Sequence, residues 1–153
     1  MPQLKALFEA EGFLDVRTLI QSGNVVFRGT SRVTEKSLEK AIADHFGLEV
    51  DVMVRTTGQM KKIVADNPFP KAAAGALAVG FMKSAPGRAA VNALDVGRFA
   101  PEDAVVVGTE VYFHLPNGMG RTKVPAYVGR QIPISTTIRN WNTTIRLLEM
   151  MTA

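Results

Sequence analysis

The stretch DVRTLIQSGNVVFRGTSRVTEKSLEKAIADHFGLEVDVMV, residues 15–54, decides the fold. Asp15 to Ile20 and Asn24 to Arg28 are rich in β-branched residues, and the turn-prone Gln21-Ser22-Gly23 between them predicts an antiparallel hairpin. Val25 and Phe27 then share one face, because successive strand side chains point to opposite sides. Thr34 is placed to cap a helix running to Phe46, in which Leu38, Ala41, Ile42 and Phe46 form the apolar stripe and Gly47 supplies the exit. Val50, Val52 and Val54 alternate with Asp51 and Met53, which reads as a half-buried strand.

Upstream, Leu4, Leu7 and Phe8 have the one-face spacing of a helix that stops at Gly12, and no basic-then-apolar leader precedes it. The order helix, strand, strand, helix, strand is that of a split βαβ unit without its opening strand. Downstream, Thr57 begins a helix carrying Met60, Ile63 and Val64, and Asn67-Pro68-Phe69-Pro70 ends it, because proline cannot donate and restricts the residue before it. This break divides the chain into lobes 1–55 and 56–153. Ala76 to Met82 reads as a strand with a backbone-close Gly80, and Ser84 as the cap of a short helix through Leu94, with Pro86 in its first turn. Ala104 to Val107 and Glu110 to Leu115 flank Gly108-Thr109, a glycine-first hairpin turn. Pro125 opens a short helix ending near Gly129, and Asn142 or Thr143 caps a last helix whose Ile145, Leu148 and Met151 face inward and Arg146 outward.

With 46% hydrophobic and 21% charged residues, 153 residues suffice for one globular domain or two packed lobes with a real core. There are no cysteines, which excludes disulfides, thiolate metal sites and cysteine nucleophiles and agrees with a reducing, cytoplasmic location. The longest strongly apolar stretch, Ala72 to Met82, lies between Lys71 and Lys83 and is shorter than the roughly 18 to 20 residues that span a bilayer, so no membrane partner is expected. The net charge of +4 is unevenly distributed. Residues 1–110 balance 13 basic against 13 acidic groups, whereas the remainder holds Arg121, Lys123, Arg130, Arg139 and Arg146 against Glu149 alone.

The strings LKALFEAEGF (4–13) leading into VRTLIQSGNVVF (16–27), NPFP (67–70), VYFHLPNGMGRTK (111–123) and TTIRNWNTTIRLLEM (136–150) resemble, in order, the bacterial family known as domain of unknown function 1697. The resemblance implies an α+β protein with two ferredoxin-like lobes built on antiparallel or mixed sheets, and no established activity. Members of that family begin with a strand and a glycine-rich loop before the first helix, whereas this chain starts at Met1-Pro2, directly at that helix. The first lobe is therefore expected to lack its N-terminal strand, by truncation or by a start assigned too far downstream. Pro125 is a smaller departure, at a place where similar proteins carry ordinary helix formers.

The chemistry-bearing residues are few. His45 and His114 lie in separate lobes with no ligand spacing around either, so no metal is expected, and no cofactor motif is present. Ser22-Gly23 lacks the rest of a nucleophile elbow, and Gly118-Met119-Gly120-Arg121-Thr122-Lys123 fits neither a Walker loop nor a dinucleotide fingerprint. RNA stacking on a ferredoxin-like sheet would need exposed aromatics on central strands, and Phe27 alone makes a poor platform. Glu110, Tyr112 and His114 alternate on one strand face, where a histidine beside a carboxylate and a phenol could do acid–base work on a small phosphorylated or carboxylated substrate. Since antiparallel sheets commonly leave one face wet, the plainer reading makes the trio surface polar residues.

The remaining lead joins two segments. Arg139-Asn140-Trp141-Asn142-Thr143 sits at the start of the last helix, where the dipole favours an anion. Asn117, Arg121 and Lys123 lie in a glycine-bearing loop able to approach it. If the segments meet, Arg121, Lys123 and Arg139, with Asn117, Asn140 and Asn142 as neutral donors, bind phosphate, carboxylate or a nucleic-acid backbone. The plainer alternative gives Asn142 to capping, Trp141 to packing and Asn117-Gly118 to turning the chain. An assembly module that forms a homodimer through an unpaired sheet edge is the third reading.

Overall fold

The structure, a computed structural model, describes residues 2–19, 23–29 and 35–153. The protein is α+β, with six α-helices and two antiparallel sheets among the described residues. It divides into two compact units, Met1–Thr57 with Arg146–Ala153, and Gly58–Ile145.

In the first unit, α1 (Pro2–Ala10) leads into the hairpin of β1 (Leu14–Leu19) and β2 (Asn24–Arg28), and α2 (Glu35–Phe46) follows. The expected turn at Gln21-Ser22 and the Thr34 cap lie outside the described residues. Phe8, Val16 and Leu38 form the core, with Val25 and Phe27 of β2 packed against it. The Phe8, Phe13 and Phe27 rings pack tilted or edge-on with centroids 4.7 to 5.6 Å apart, as their quadrupoles favour. The hairpin register shifts between Leu14 and Arg17, where Asp15 adopts φ 51° and its carboxylate lies 3.4 Å from Arg28 and 3.7 Å from Arg17. A bulge of this kind re-aims side chains. Arg17 reaches the Met150 carbonyl near the end of the last helix.

Residues 50–54 are not a ladder strand, contrary to the reading of their alternation. Their backbone donors go instead to carboxylates of α2. The Val52 N–H donates to Glu39 at 2.8 Å and the Val54 N–H to Glu35 at 2.6 Å. The two-residue period survives, since alternate groups face α2 and Val52 and Val54 pack on the core. What the sequence pattern could not distinguish was a backbone partner from a pair of glutamates four residues apart on one helix face.

The second unit contains α3 (Thr57–Ala65, from its second residue), β3 (Leu77–Met82), α4 (Arg88–Asn92), β4 (Asp103–Val107), β5 (Glu110–His114), α5 (Val124–Gln131), β6 (Thr136–Asn140) and the start of α6 (Trp141–Thr152). Its sheet has the order β4-β5-β3-β6, antiparallel at every junction. Every residue of β3 is buried. On one face Ala78, Met82, Ala104, Val111 and Phe113 pack with Val124, Tyr127, Val128 and Ile132 from α5 and the residue after it. The other face carries Val79, Tyr112 and Arg139 in one cross-strand row.

The hairpin turns at Gly108, whose φ of +60° a side chain would resist. Two boundaries differ from the sequence reading. Helix α4 begins at Arg88 with Gly87 at its N-cap and no side-chain cap, so Ser84 does not serve there. Strand β6 was not anticipated, because its five residues run straight into α6 without a turn signal.

Gly80 explains the close approach of β5 and β6 to β3. A Cβ there would lie 2.7 Å from Val111 Cγ1 and 3.0 Å from Thr136 Cγ2. Gly80→Ala is expected to destabilise the protein by about 1–3 kcal/mol through overpacking. In urea unfolding, Val111→Ala should recover part of that loss in the double variant, since it removes the nearest clashing atom; full additivity would contradict this account.

Candidate functional site

Strand register determines what the basic segments share. Leu77 of β3 pairs with His114 on one side, and its neighbour Ala78 pairs with Asn140 on the other. The Leu115 N–H donates to the Ala76 carbonyl at 2.7 Å, continuing the β5 side past the strand end. The exits of β5 and β6 therefore flank the start of β3 at one end of the sheet, two strand spacings or about 10 Å apart.

Beyond β5 the chain turns at once. The Gly118 N–H donates to the Leu115 carbonyl at 2.8 Å, and Gly118 adopts φ +81°. Asn117, Arg121 and Lys123 are exposed, as is Met119 at 46%. Lys123 occupies the N-cap position of α5, and the Thr122 hydroxyl accepts from the Val124 N–H at 3.1 Å. Among the described residues neither Arg121 nor Lys123 forms an ion pair.

Beyond β6 the arrangement differs from the sequence reading. Arg139 belongs to the strand rather than the helix start; it is half-buried and its Nη1 donates to the Ile138 carbonyl at 2.9 Å. Burial moves its pKa below the ordinary arginine value. The cap of α6 is Asn140, not Asn142 or Thr143: its Oδ1 accepts from the Thr143 N–H at 2.8 Å, and its carbonyl accepts the Thr144 hydroxyl at 3.0 Å. Asn142 stands exposed in the first turn. Neither α5 nor α6 has an acidic residue in its first turn.

Glu110, Tyr112 and His114 do share a face, but that face is not wet. Glu110 is 8% exposed and Tyr112 2%. The Tyr112 hydroxyl donates to the Ile63 carbonyl at 2.6 Å, tying α3 to the sheet. Burial, then the negative charges of Glu110 and Asp66, push this phenol up to about 12. Tyr112 is thus an anchored core hydroxyl and cannot relay protons near neutrality. Glu110 accepts the Thr109 hydroxyl at 2.8 Å. His114, half-buried, stacks on Phe69 with centroids 5.3 Å apart and planes 30° apart. Sequence reasoning missed Phe69 because NPFP reads first as a helix terminator; the Phe69 N–H indeed donates to the Asn67 side-chain oxygen at 2.9 Å, forming that turn.

In the first unit an open cleft of about 840 Å³ is lined by Lys36, Glu39, Lys40, Glu49 and Asp51 among others, so its charges are mixed. Among the described residues no group of three His, Asp or Glu side chains could hold a metal ion. No helix among them is long and apolar enough to cross a membrane.

Two variants follow from this geometry. Asn140→Ala should cost about 0.5–2 kcal/mol in urea unfolding as a lost cap, while Asn142→Ala stays within about 0.5 kcal/mol; the reverse order would restore the sequence reading. Tyr112→Phe should cost about 1–2 kcal/mol, because the Ile63 carbonyl loses its donor. Since the folded phenol titrates higher than an unfolded one at 10.0, the hydroxyl's contribution is complete below pH 10 and is lost as the pH rises towards about 12. The stability gap between wild type and Tyr112→Phe should therefore close over that interval in pH-dependent unfolding.

Comparison with curated proteins and with solved structures returns no match. The family profile described as protein of unknown function (DUF1697) matches residues 1–112. That match reaches from α1 into the middle of β5, and the basic loop and β6 lie beyond it. Because it covers well over half of the sequence, the chain belongs to the DUF1697 family.

Proposed function

We propose that the protein is a binding module for an anionic ligand, held by Arg121, Lys123 and Arg139 with Asn117, Asn140 and Asn142 as neutral donors. The observation that carries this reading is the register that sends the glycine-bearing loop and the α6 cap from one end of the sheet. Arg121 and Lys123 are exposed there, and Arg139 is a guanidinium already stripped of part of its water. An anion would add charge-assisted hydrogen bonds to the contacts this guanidinium already makes. Asn140 contributes only its amide nitrogen, since its oxygen caps the helix.

The fold reading that accompanies this proposal takes 1–55 and 56–153 as the two lobes. The order β3-α4-β4-β5-α5-β6 with spatial order β4-β5-β3-β6 supports reading the second as ferredoxin-like, two split βαβ units interleaved in one sheet. The absence of cysteine supports a cytoplasmic location. Proton transfer by Tyr112 has no support in the geometry, because its hydroxyl is committed to Ile63.

Calorimetric titration with pyrophosphate tests the proposal. Binding should weaken at least about tenfold in Arg121→Ala/Lys123→Ala, a surface change that leaves the core intact; an unchanged affinity removes the assignment. A nucleic-acid ligand would show log affinity falling with log salt at about −0.9 per phosphate contact on duplex, whereas a small ligand would raise the melting temperature with its concentration.

A further inference from the structure

Resting on that anion-binding reading, we infer that the ligand is a nucleoside phosphate whose base stacks on the Phe69–His114 pair. Cations alone would serve a bare phosphate, and they leave the aromatic pair without a role. His114 is the last residue of β5, so the loop bearing Arg121 and Lys123 starts from the stack itself. Both rings are only partly exposed and stack on each other with planes 30° apart at the sheet end. Met119 adds an exposed apolar, polarisable side chain in the same loop.

Arg139 lies on the same sheet face but farther from the stack. Its alternation along β6 puts it on the sheet face that carries His114, in the row of Val79 and Tyr112, while His114 occupies the next row with Leu77. Two strand spacings across and two residues along separate their Cα atoms by about 12 Å. Leu77 and Val79 between them are buried, so the phosphate of a ligand stacked at His114 falls to Arg121 and Lys123 of the adjoining loop. A platform for a run of bases would need several exposed aromatics on central strands. Here β3 is buried throughout and the aromatic residues of β5 are buried apart from His114, so a single base is accommodated.

The test compares adenosine diphosphate with pyrophosphate on the full chain by calorimetry. The diphosphate nucleoside should bind about tenfold tighter, as one stacked base provides, and Phe69→Ala should erase that surplus while leaving pyrophosphate affinity unchanged. Phe69→Leu, which keeps apolar bulk but no π face, should lose the surplus too and reports the same result if the alanine variant fails to fold. Pyrophosphate binding with no nucleoside surplus overturns this inference and leaves the anion reading standing; no binding of either removes both. Tighter binding of an oligothymidylate of about ten nucleotides than of the mononucleotide, growing with length, overturns the inference in favour of a nucleic-acid strand.

Discussion

Strand β3 is buried at every residue, and both of its edges are consumed by ladders to β5 and β6. A strand in that position tolerates no unpaired donor, since each buried group left without a partner costs about 1–3 kcal/mol. It also sets how closely its neighbours stand, because at Gly80 the absent Cβ leaves room for Val111 and Thr136. Everything at the candidate site inherits its placement from this strand. The loop after β5 and the cap of α6, distant in sequence, leave the same end of the sheet only because Leu77 and Ala78 pair with the last residues of both partners.

The first unit solves the same problem of backbone donors by a different route. The extended residues 50–54 give alternate N–H groups to Glu35 and Glu39, charged acceptors that make stronger bonds than a neutral carbonyl. Arg55 stands 3.9 Å from Glu35 at a largely buried position and balances part of that charge. Helix α2 thus docks its segment by side chains that a surface reading would assign to solvent, and the side chains of Val52 and Val54 pack on the core of Phe8, Val16 and Leu38.

Much of this was legible in the sequence where local chemistry decides. The β-branched runs, the Gly108-Thr109 turn and the proline break at Asn67-Pro68 gave elements that the structure contains. Legibility ended where a distant partner decides. Residues 50–54 have the right period for a strand and lack only the neighbour that would make it one. Thr136-Thr137-Ile138 is β-branched, yet only the free edge of β3 turns it into β6. The cap of α6 moved from Asn142 to Asn140 for the same reason, since β6 fixes where the helix can begin. The polar trio of β5 looked wet because alternation shows that residues share a face but not what covers it; α3 covers Tyr112.

Burial separates the roles that residues of similar chemistry can play on that face. Tyr112 and Arg139 flank Val79 in one row, and both are partly withdrawn from water. For the phenol, withdrawal favours the neutral form, which donates to one partner, the Ile63 carbonyl, and is thereby removed from chemistry near neutrality. For the guanidinium, whose charge persists at any physiological pH, withdrawal raises the value of every anion brought near it. The same row therefore holds the tyrosine in a structural role by its bond to Ile63, while the arginine keeps its charge and bonds the Ile138 carbonyl.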